Sequence, residues 1–179
     1  MINVLGEYKM GQMAQKISAV DRGDLLKILN IAYAEEWLAH YQYWLGAQLA
    51  VGPMRKTITE EFLEHAREEF DHAKKIATRI IELGGVPVLD PSDWQKVALC
   101  KYDAPVKPYV INLLEQNLVA ERCAIVRYQK ICEMTHGKDY ETFRLSTEIL
   151  REEIEHEEEI GSFKADLDMG SEYHNQMQL

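Results

Sequence analysis

The feature that most constrains this chain is a set of acidic and imidazole side chains that occurs twice. Glu36 is followed 33 residues later by Glu69, which opens Glu69-Phe-Asp-His72; Glu121 is followed 32 residues later by Glu153, which opens Glu153-Ile-Glu-His156. Each group interrupts an apolar stripe of helical spacing. Leu25, Leu29, Ala32, Glu36, Ala39, Tyr43, Gly46 and Ala50 alternate steps of four and three, and Leu114, Asn117, Glu121, Ala124, Tyr128 and Ile131 repeat the pattern. Glu36 and Glu121 therefore fall on inward seams. The stripes Ile58, Phe62, His65, Glu69, His72, Ile76 and Ile149, Glu153, His156, Ile160 place both Glu-x-x-His pairs likewise. Residues three apart on a helix share a face, so each pair offers a carboxylate and an imidazole to one side of a common centre. Unpaired carboxylates in a core are costly. Six such groups with internal pseudo-symmetry predict a carboxylate-bridged pair of metal ions inside a four-helix bundle.

Breaks in the sequence delimit the helices. The first is expected from Asp21 or Asp24 to about Val51, where Gly52-Pro53 ends it, and the second from about Met54 to Leu83, stopped by Gly84-Gly85 and Pro87. Residues 84 to about 108 hold Pro87, Pro91, Pro105 and Pro108 and read as a crossover with one short capped helix after Asp90. The third helix is expected from Val106 or Pro108 to Thr135, and the fourth from about Asp139 to near Asp166. Two short connections and one long one describe an all-α fold, a ferritin-like four-helix bundle with a long crossover between the second and third helices. Residues 1–20 are expected to be an N-terminal extension, 21–167 the di-metal domain, and 168–179 a C-terminal tail; neither extension carries a clear structural signal.

Bulk properties narrow the function classes. A chain of 179 residues with 46% hydrophobic composition suits one domain with a sizeable core. No apolar run approaches the roughly 20 residues of a membrane span, and the N-terminus lacks a signal-peptide apolar region, so a cytoplasmic protein with no membrane role is expected. Three cysteines without metal-finger spacing agree with a reducing compartment. A net charge of -10 argues against nucleic acid as the main partner and suits a protein that attracts cations.

Several residues admit two readings. Glu35 rivals Glu36 on a second stripe, but only Glu36 has a tyrosine seven residues on, as Glu121 has. Glu68, Glu152 and Glu155 lie off the seams and read as solvated or inter-subunit residues. His65, one turn before Glu69, is either a core histidine or an auxiliary iron site. Tyr43 and Tyr128 are either core aromatics or phenols that hydrogen-bond to the metal-binding carboxylates. Four carboxylates and two imidazoles suit iron or manganese rather than a thiolate-selective ion. The pattern alone does not choose among ferroxidase, peroxidase, hydroxylase and catalase chemistry.

The six-residue pattern resembles the bacterioferritin and ferritin-like superfamily. The segments Glu35-Glu-Trp-Leu-Ala-His-Tyr-Gln-Tyr-Trp44, Ala120-Glu-Arg-Cys-Ala-Ile125, Cys132-Glu-Met-Thr-His-Gly-Lys-Asp139 and Ile149-Leu-Arg-Glu-Glu-Ile-Glu-His156 are similar, more narrowly, to the Dps-like thioferritins. The resemblance covers about residues 20 to 165. It implies a cage of twelve subunits that oxidises Fe(II), with peroxide as a favoured oxidant or with dioxygen, stores the ferric mineral and protects against oxidative stress. It implies an intra-subunit di-iron site at Glu36, Glu69, His72, Glu121, Glu153 and His156, and a redox thiol pair at Cys100 and Cys123. Cys123 and Cys132, nine residues apart on one helix, are too far apart to bond. Haem-binding relatives carry methionine where Phe70 stands, so no haem is expected. One alternative is a rubrerythrin-like di-iron peroxidase without mineral storage, although three scattered cysteines cannot build the four-cysteine domain usual in that group. The other is a DNA-compacting role, for which the extension offers only Lys9, Lys16 and Arg22.

Overall fold

The computed structural model describes residues 12–176. Residues 1–11 of the expected N-terminal extension, Lys9 among them, and 177–179 of the tail lie outside the described residues. The order is α1 (Gln12–Ile17), α2 (Arg22–Leu49), α3 (Arg55–Glu82), a 3-10 turn at Pro91–Asp93, α4 (Trp94–Val97), α5 (Val110–Thr135) and α6 (Tyr140–Gln176).

Local chemistry sets most of these ends. Asp21 caps α2 by accepting the Asp24 amide at 2.9 Å, and Asp139 accepts the Thr142 amide at 2.9 Å to start α6. The α2–α3 corner needs left-handed backbone at Gly52 (φ 124), and α3 ends on Gly84 (φ 71). α2 stops at Leu49, short of Val51, and α5 starts at Val110, later than Val106 or Pro108, for one reason. The Val51 amide donates to the Pro108 carbonyl at 2.8 Å and the Val110 amide to the Val51 carbonyl at 3.0 Å. This parallel bridge holds both segments extended, as the prolines at 105 and 108 also favour.

The two extensions contain helix where none was expected. α1 lies within residues 1–20, and α6 continues through the expected tail to Gln176, because no proline interrupts it after Tyr140. The Ala19 amide donates to the Lys138 carbonyl at 2.9 Å, fixing the chain before α2 to the α5–α6 corner.

Two helical hairpins, α2–α3 and α5–α6, pair through matched residues. Tyr43 meets Glu121 and Tyr128 meets Glu36, so α2 and α5 are antiparallel; His65 meets Glu159 and His72 meets Glu152, so α3 and α6 are antiparallel as well. α3 and α5 therefore run parallel, which requires the long crossover. Within it, Trp94 of α4 stacks on Trp37 of α2 with centroids 4.9 Å apart.

The core has two apolar ends with a polar layer between them. Leu25, Leu29, Ile76, Ile80, Ile131 and Ile149 belong to one end; Ile58, Phe62, Val110, Leu113, Leu114 and Ile160 belong to the other. Each buried aliphatic or aromatic side chain contributes roughly 1.5–3 kcal/mol, which is what allows the layer between them to be charged.

Candidate metal centre

That layer holds all six residues singled out by the repeat. Glu36 from α2, Glu69 and His72 from α3, Glu121 from α5, and Glu153 and His156 from α6 are each no more than 2% exposed. Their donor atoms form two groups. Glu36, Glu69, His72 and Glu153 bring one donor each within 4.8 Å of one another, and Glu69, Glu121, Glu153 and His156 do the same. Glu69 and Glu153 belong to both groups; Glu36 with His72, and Glu121 with His156, complete one each.

Each imidazole turns Nδ1 inward. His72 Nδ1 lies 3.3 Å from Glu36, 3.4 Å from Glu69 and 3.2 Å from Glu153, whereas His156 Nδ1 lies 3.5 Å from Glu69, 3.6 Å from Glu121 and 3.7 Å from Glu153. Nε2 faces the other way in both: it donates to Glu152 from His72 and to Glu68 from His156, each at 2.7 Å. An ionised carboxylate only accepts, so this contact fixes the proton on Nε2 and leaves Nδ1 free to ligate. The tyrosines are reciprocal. Tyr43 on α2 donates to Glu121 on α5, and Tyr128 on α5 donates to Glu36 on α2. Burial pushes both phenols well up, with the nearby carboxylate charges acting the same way, which keeps each phenol a donor.

Electrostatics separates the carboxylates. Burial, then the charges of Glu153 and Glu69, push the Glu36 carboxyl well above the usual range, and burial with the Glu153 charge does the same to Glu121. Burial also pushes Glu69 and Glu153 up, but the close approach of the His156 and His72 imidazoles holds both below it. Burial opposes charge on the two imidazoles, yet the surrounding carboxylates raise them, led by Glu152 at His72 and Glu121 at His156.

The layer fits two divalent ions. Glu36 Oε2, Glu69 Oε1, Glu121 Oε2, both Glu153 oxygens and Nδ1 of His72 and His156 are buried and satisfy no hydrogen bond. Buried polar atoms are nearly always partnered, so a cluster of orphans with oxygen and imidazole donors is a site for a cation. A cavity of about 30 Å³ touches Glu36, Glu69, Glu121 and Glu153 on one side and Cys100 and Tyr102 of the crossover on the other. It admits a water-sized or diatomic molecule. Cys100 and Cys123 form a disulfide with Cα atoms 6.0 Å apart, and Cys132 is buried and free.

Some residues take roles that their seam positions hid. Glu68 and Glu152, expected to be solvated or to face another subunit, orient the imidazoles. Both repeats in fact read Glu-Glu-x-x-His, and the doubled glutamate carried that signal. Glu35 is not the alternative to Glu36; it accepts Nε and Nη2 of Arg127 at 2.9 and 3.1 Å and the amides of Leu99 and Cys100 at 2.9 Å each. It thereby fixes the disulfide-bearing turn above the cavity.

A ferritin-like domain model matches residues 26–169. A DNA protection during starvation protein of Pyrococcus furiosus is 39% identical over 143 residues, spanning 78% of this chain and 76% of that one. The bacterioferritin-related protein of Bacteroides fragilis, described as a dodecameric thioferritin, is 49% identical and superposes with a TM-score of 0.86 over 89% of this chain and 94% of that one. Dps from Thermosynechococcus elongatus, at 22% identity and a TM-score of 0.76 over 84% of this chain and 94% of that one, shares the fold.

Proposed function

Because this chain belongs to the family of ferritin-like domain proteins, we propose that it is an iron-storage and detoxification mini-ferritin whose substrate is Fe(II). The observation that carries the reading is the pair of four-donor groups sharing Glu69 and Glu153 within one subunit. Glu69 and Glu153 would be shared by two iron ions, Glu36 with His72 and Glu121 with His156 would each hold one, and four carboxylates would balance the charge of two divalent ions. Each Fe(II) gives up one electron. Hydrogen peroxide takes both electrons with two protons and leaves as two waters; dioxygen takes them with two protons and leaves as peroxide.

The protein's part is to hold and orient. Tyr43 and Tyr128 keep the terminal carboxylates in place as charge on the metals changes. Glu68 and Glu152 hold the imidazoles with Nδ1 inward. The cavity is too small for an organic substrate, which favours oxidation of iron over hydroxylation. The Cys100–Cys123 pair borders it; in the dithiol form the pair can give peroxide two electrons and two protons, becoming the disulfide.

Storage requires an enclosed space. The Bacteroides fragilis relative is a dodecamer, and we assign this chain the same cage. Exposed Leu89, Val106, Val119, Val126 and Tyr140 supply apolar surface for subunit contacts. Among the described residues no helix is long and apolar enough to cross a membrane, in keeping with a cytoplasmic cage. DNA binding is not assigned: of the basic residues near the N-terminus, Arg22 is engaged with the Leu83 and Gly84 carbonyls.

Stopped-flow oxidation of Fe(II), followed by size analysis of the iron-loaded protein, tests the proposal. Glu69→Ala and Glu153→Ala should each abolish the rapid phase, and the wild type should retain far more than two irons per chain in a particle of about twelve subunits. Unchanged kinetics in both variants would refute the centre. A monomer or dimer retaining two irons per chain would replace storage with a discrete peroxidase.

A further inference from the structure

Two spaces meet at the Cys100–Cys123 disulfide. One is the cavity of about 30 Å³ bordered by Glu36, Glu69, Glu121 and Glu153. The other is an outer pocket of about 650 Å³ between the crossover and α5. Cys100 lines both spaces, whereas Cys123 lines the outer one alone. Both cysteines are half-buried, so neither is sealed inside the bundle.

The outer pocket is held open by side chains that pin the crossover. Glu35 accepts the Leu99 and Cys100 amides, Gln42 accepts the Asp103 amide at 3.0 Å, and Gln116 donates to the Asp103 carboxylate and the Ala104 carbonyl at 2.9 and 3.2 Å. Lys101 is engaged with the Gln95 and Ala98 carbonyls at 2.6 Å each. The charged groups left on the lining are the exposed Lys107 ammonium and the exposed carboxylates of Asp103 and Glu115. A pocket of roughly 300–1,000 Å³ holds a small molecule. One with a cation and two anions beside a disulfide suits a molecule that carries a carboxylate, an ammonium group and a thiol. Val106 and Val119 also line it and belong to the apolar surface assigned to subunit contacts, so the assembled cage is the form to test.

The chemistry of the pair calls for such a ligand. A dithiol that gives two electrons to peroxide becomes a disulfide, and it acts again only after a two-electron reductant restores it. The inner cavity is too small to admit an organic thiol, and the outer pocket is not.

We propose that the outer pocket is a site for a low-molecular-weight thiol bearing a carboxylate and an ammonium group, which reduces the disulfide through Cys123. The bound thiolate attacks Cys123 Sγ; the protein S–S bond breaks, and its electron pair leaves on Cys100 Sγ, which takes a proton. A second thiolate attacks the small-molecule sulfur of the mixed disulfide, and Cys123 leaves and takes a proton in turn. Two thiols become one disulfide while the protein gains two electrons and two protons. Cys100, the residue common to both spaces, is freed first, at the edge of the carboxylate layer. That the dithiol then serves the iron centre rests on the proposed function; the thiol site does not.

Reduction of the assembled protein with no iron added, followed by acid quench, alkylation and intact mass, tests the site. Glutathione serves as the charged thiol and 2-mercaptoethanol as an uncharged one, compared at equal thiolate concentration. With glutathione the rate should saturate in the millimolar range and exceed that with 2-mercaptoethanol about tenfold, because a bound thiol reacts as a unimolecular partner. With 2-mercaptoethanol it should rise linearly. Lys107→Glu changes an exposed residue, so it should fold and should abolish the saturation. Glutathione disulfide should load Cys123 in Cys100→Ser about tenfold faster than it loads Cys100 in Cys123→Ser, as read by peptide mass spectrometry. Equal, unsaturating rates with both thiols, unchanged in Lys107→Glu, would overturn the pocket as a thiol site. Reduction by thioredoxin but by neither small thiol would overturn it in favour of a protein reductant, and faster loading of Cys100 would overturn Cys123 as the point of entry. Iron is absent throughout, so the di-iron reading stands or falls separately, on the Fe(II) oxidation kinetics.

Discussion

Converting individual carboxylates of the buried layer to amides should change the stability of the metal-free protein in opposite directions. Glu36 faces one imidazole, His72, and its carboxyl is pushed well above its ordinary value of 4.5 by burial and by Glu153 and Glu69. Glu69 faces both imidazoles, at 3.4 and 3.5 Å, and is held below that value. A raised carboxyl pKa means that folding favours the protonated acid, so Glu36 contributes most below about pH 4.5 and costs stability as pH rises above it. Glu36→Gln removes that cost while keeping an acceptor for Tyr128. Replacing an incompletely compensated buried charge by a neutral group of the same shape stabilises by about 1–4 kcal/mol, so a gain of about 1–3 kcal/mol is expected at pH 7.5. For a domain of this size that is roughly 2–12 °C in Tm. Glu69 has the reverse linkage: its contribution is present above its unfolded value and is lost as pH falls through the depressed folded one. Glu69→Gln removes the negative charge that both imidazoles face and turns an amide NH2 toward one of them. Breaking a buried pair costs about 3–5 kcal/mol, and the remaining carboxylates should reduce this to about 2 kcal/mol. Thermal denaturation in excess chelator, at one protein concentration because assembly contributes, measures both. Zn(II) should raise Tm less in either variant than in the wild type, and least in Glu69→Gln, which loses a ligand from both ions. Shifts of the same sign in the metal-free variants would refute the assignment of Glu69 as the shared, imidazole-compensated carboxylate.

Three further outcomes follow from contacts around the layer. Arg127→Ala removes the partner that holds Glu35 under the disulfide turn, so amide exchange at Leu99 and Cys100 should accelerate about tenfold or more by hydrogen-exchange mass spectrometry. Cys132 is buried and burial pushes its thiol up; alkylation of the folded protein after mild reduction should therefore modify Cys100 and Cys123 and spare Cys132, which should react only on unfolding. Burial pushes the Asp139 carboxyl up, but the Thr142 amide, Ser18 and Arg79 hold it below the usual range. Its stabilisation is therefore lost as pH falls through that lowered value, and Arg79→Ala should cost about 3–5 kcal/mol at neutral pH and flatten the acid limb of the pH–stability curve in urea titrations.

The inward positions of the six carboxylate and imidazole residues were legible because a carboxylate in the middle of an apolar seam has few explanations, and a repeat leaves fewer. Tyr43 and Tyr128 shared that seam, but seam position alone cannot say which carboxylate a phenol reaches. Each reaches the one on the other helix, a contact that exists only after α2 and α5 meet. Glu68 and Glu152 were misjudged because one residue off the seam is still within reach of a neighbouring helix for a side chain as long as glutamate. Glu35 belongs to the same class, and its task depends on where the crossover folds back, which periodicity does not encode. The ends of α2 and α5 shifted through a backbone bridge between Val51 and Tyr109 that no local signal announces. The extent of α6 was underestimated because a charged, glycine-containing stretch has weak amphipathicity even where it is helical.

The exchange of tyrosines between hairpins bears on how such a chain could have arisen. Every group at the centre has a counterpart across an approximate two-fold axis: Glu36 with Glu121, Tyr43 with Tyr128, Glu69 with Glu153, His72 with His156, Glu68 with Glu152. Each hairpin's phenol and outer glutamate serve the other hairpin's ligands. One hairpin alone carries half the donors and none of their supports, whereas two copies of the same hairpin, related by that axis, would hold the complete set. A duplicated and fused half-length gene, descended from a homodimer that closed around its ions, would produce this arrangement. The long crossover would then be the fusion joint, free to acquire the aromatic cover of Trp94 and the disulfide to Cys123 of α5.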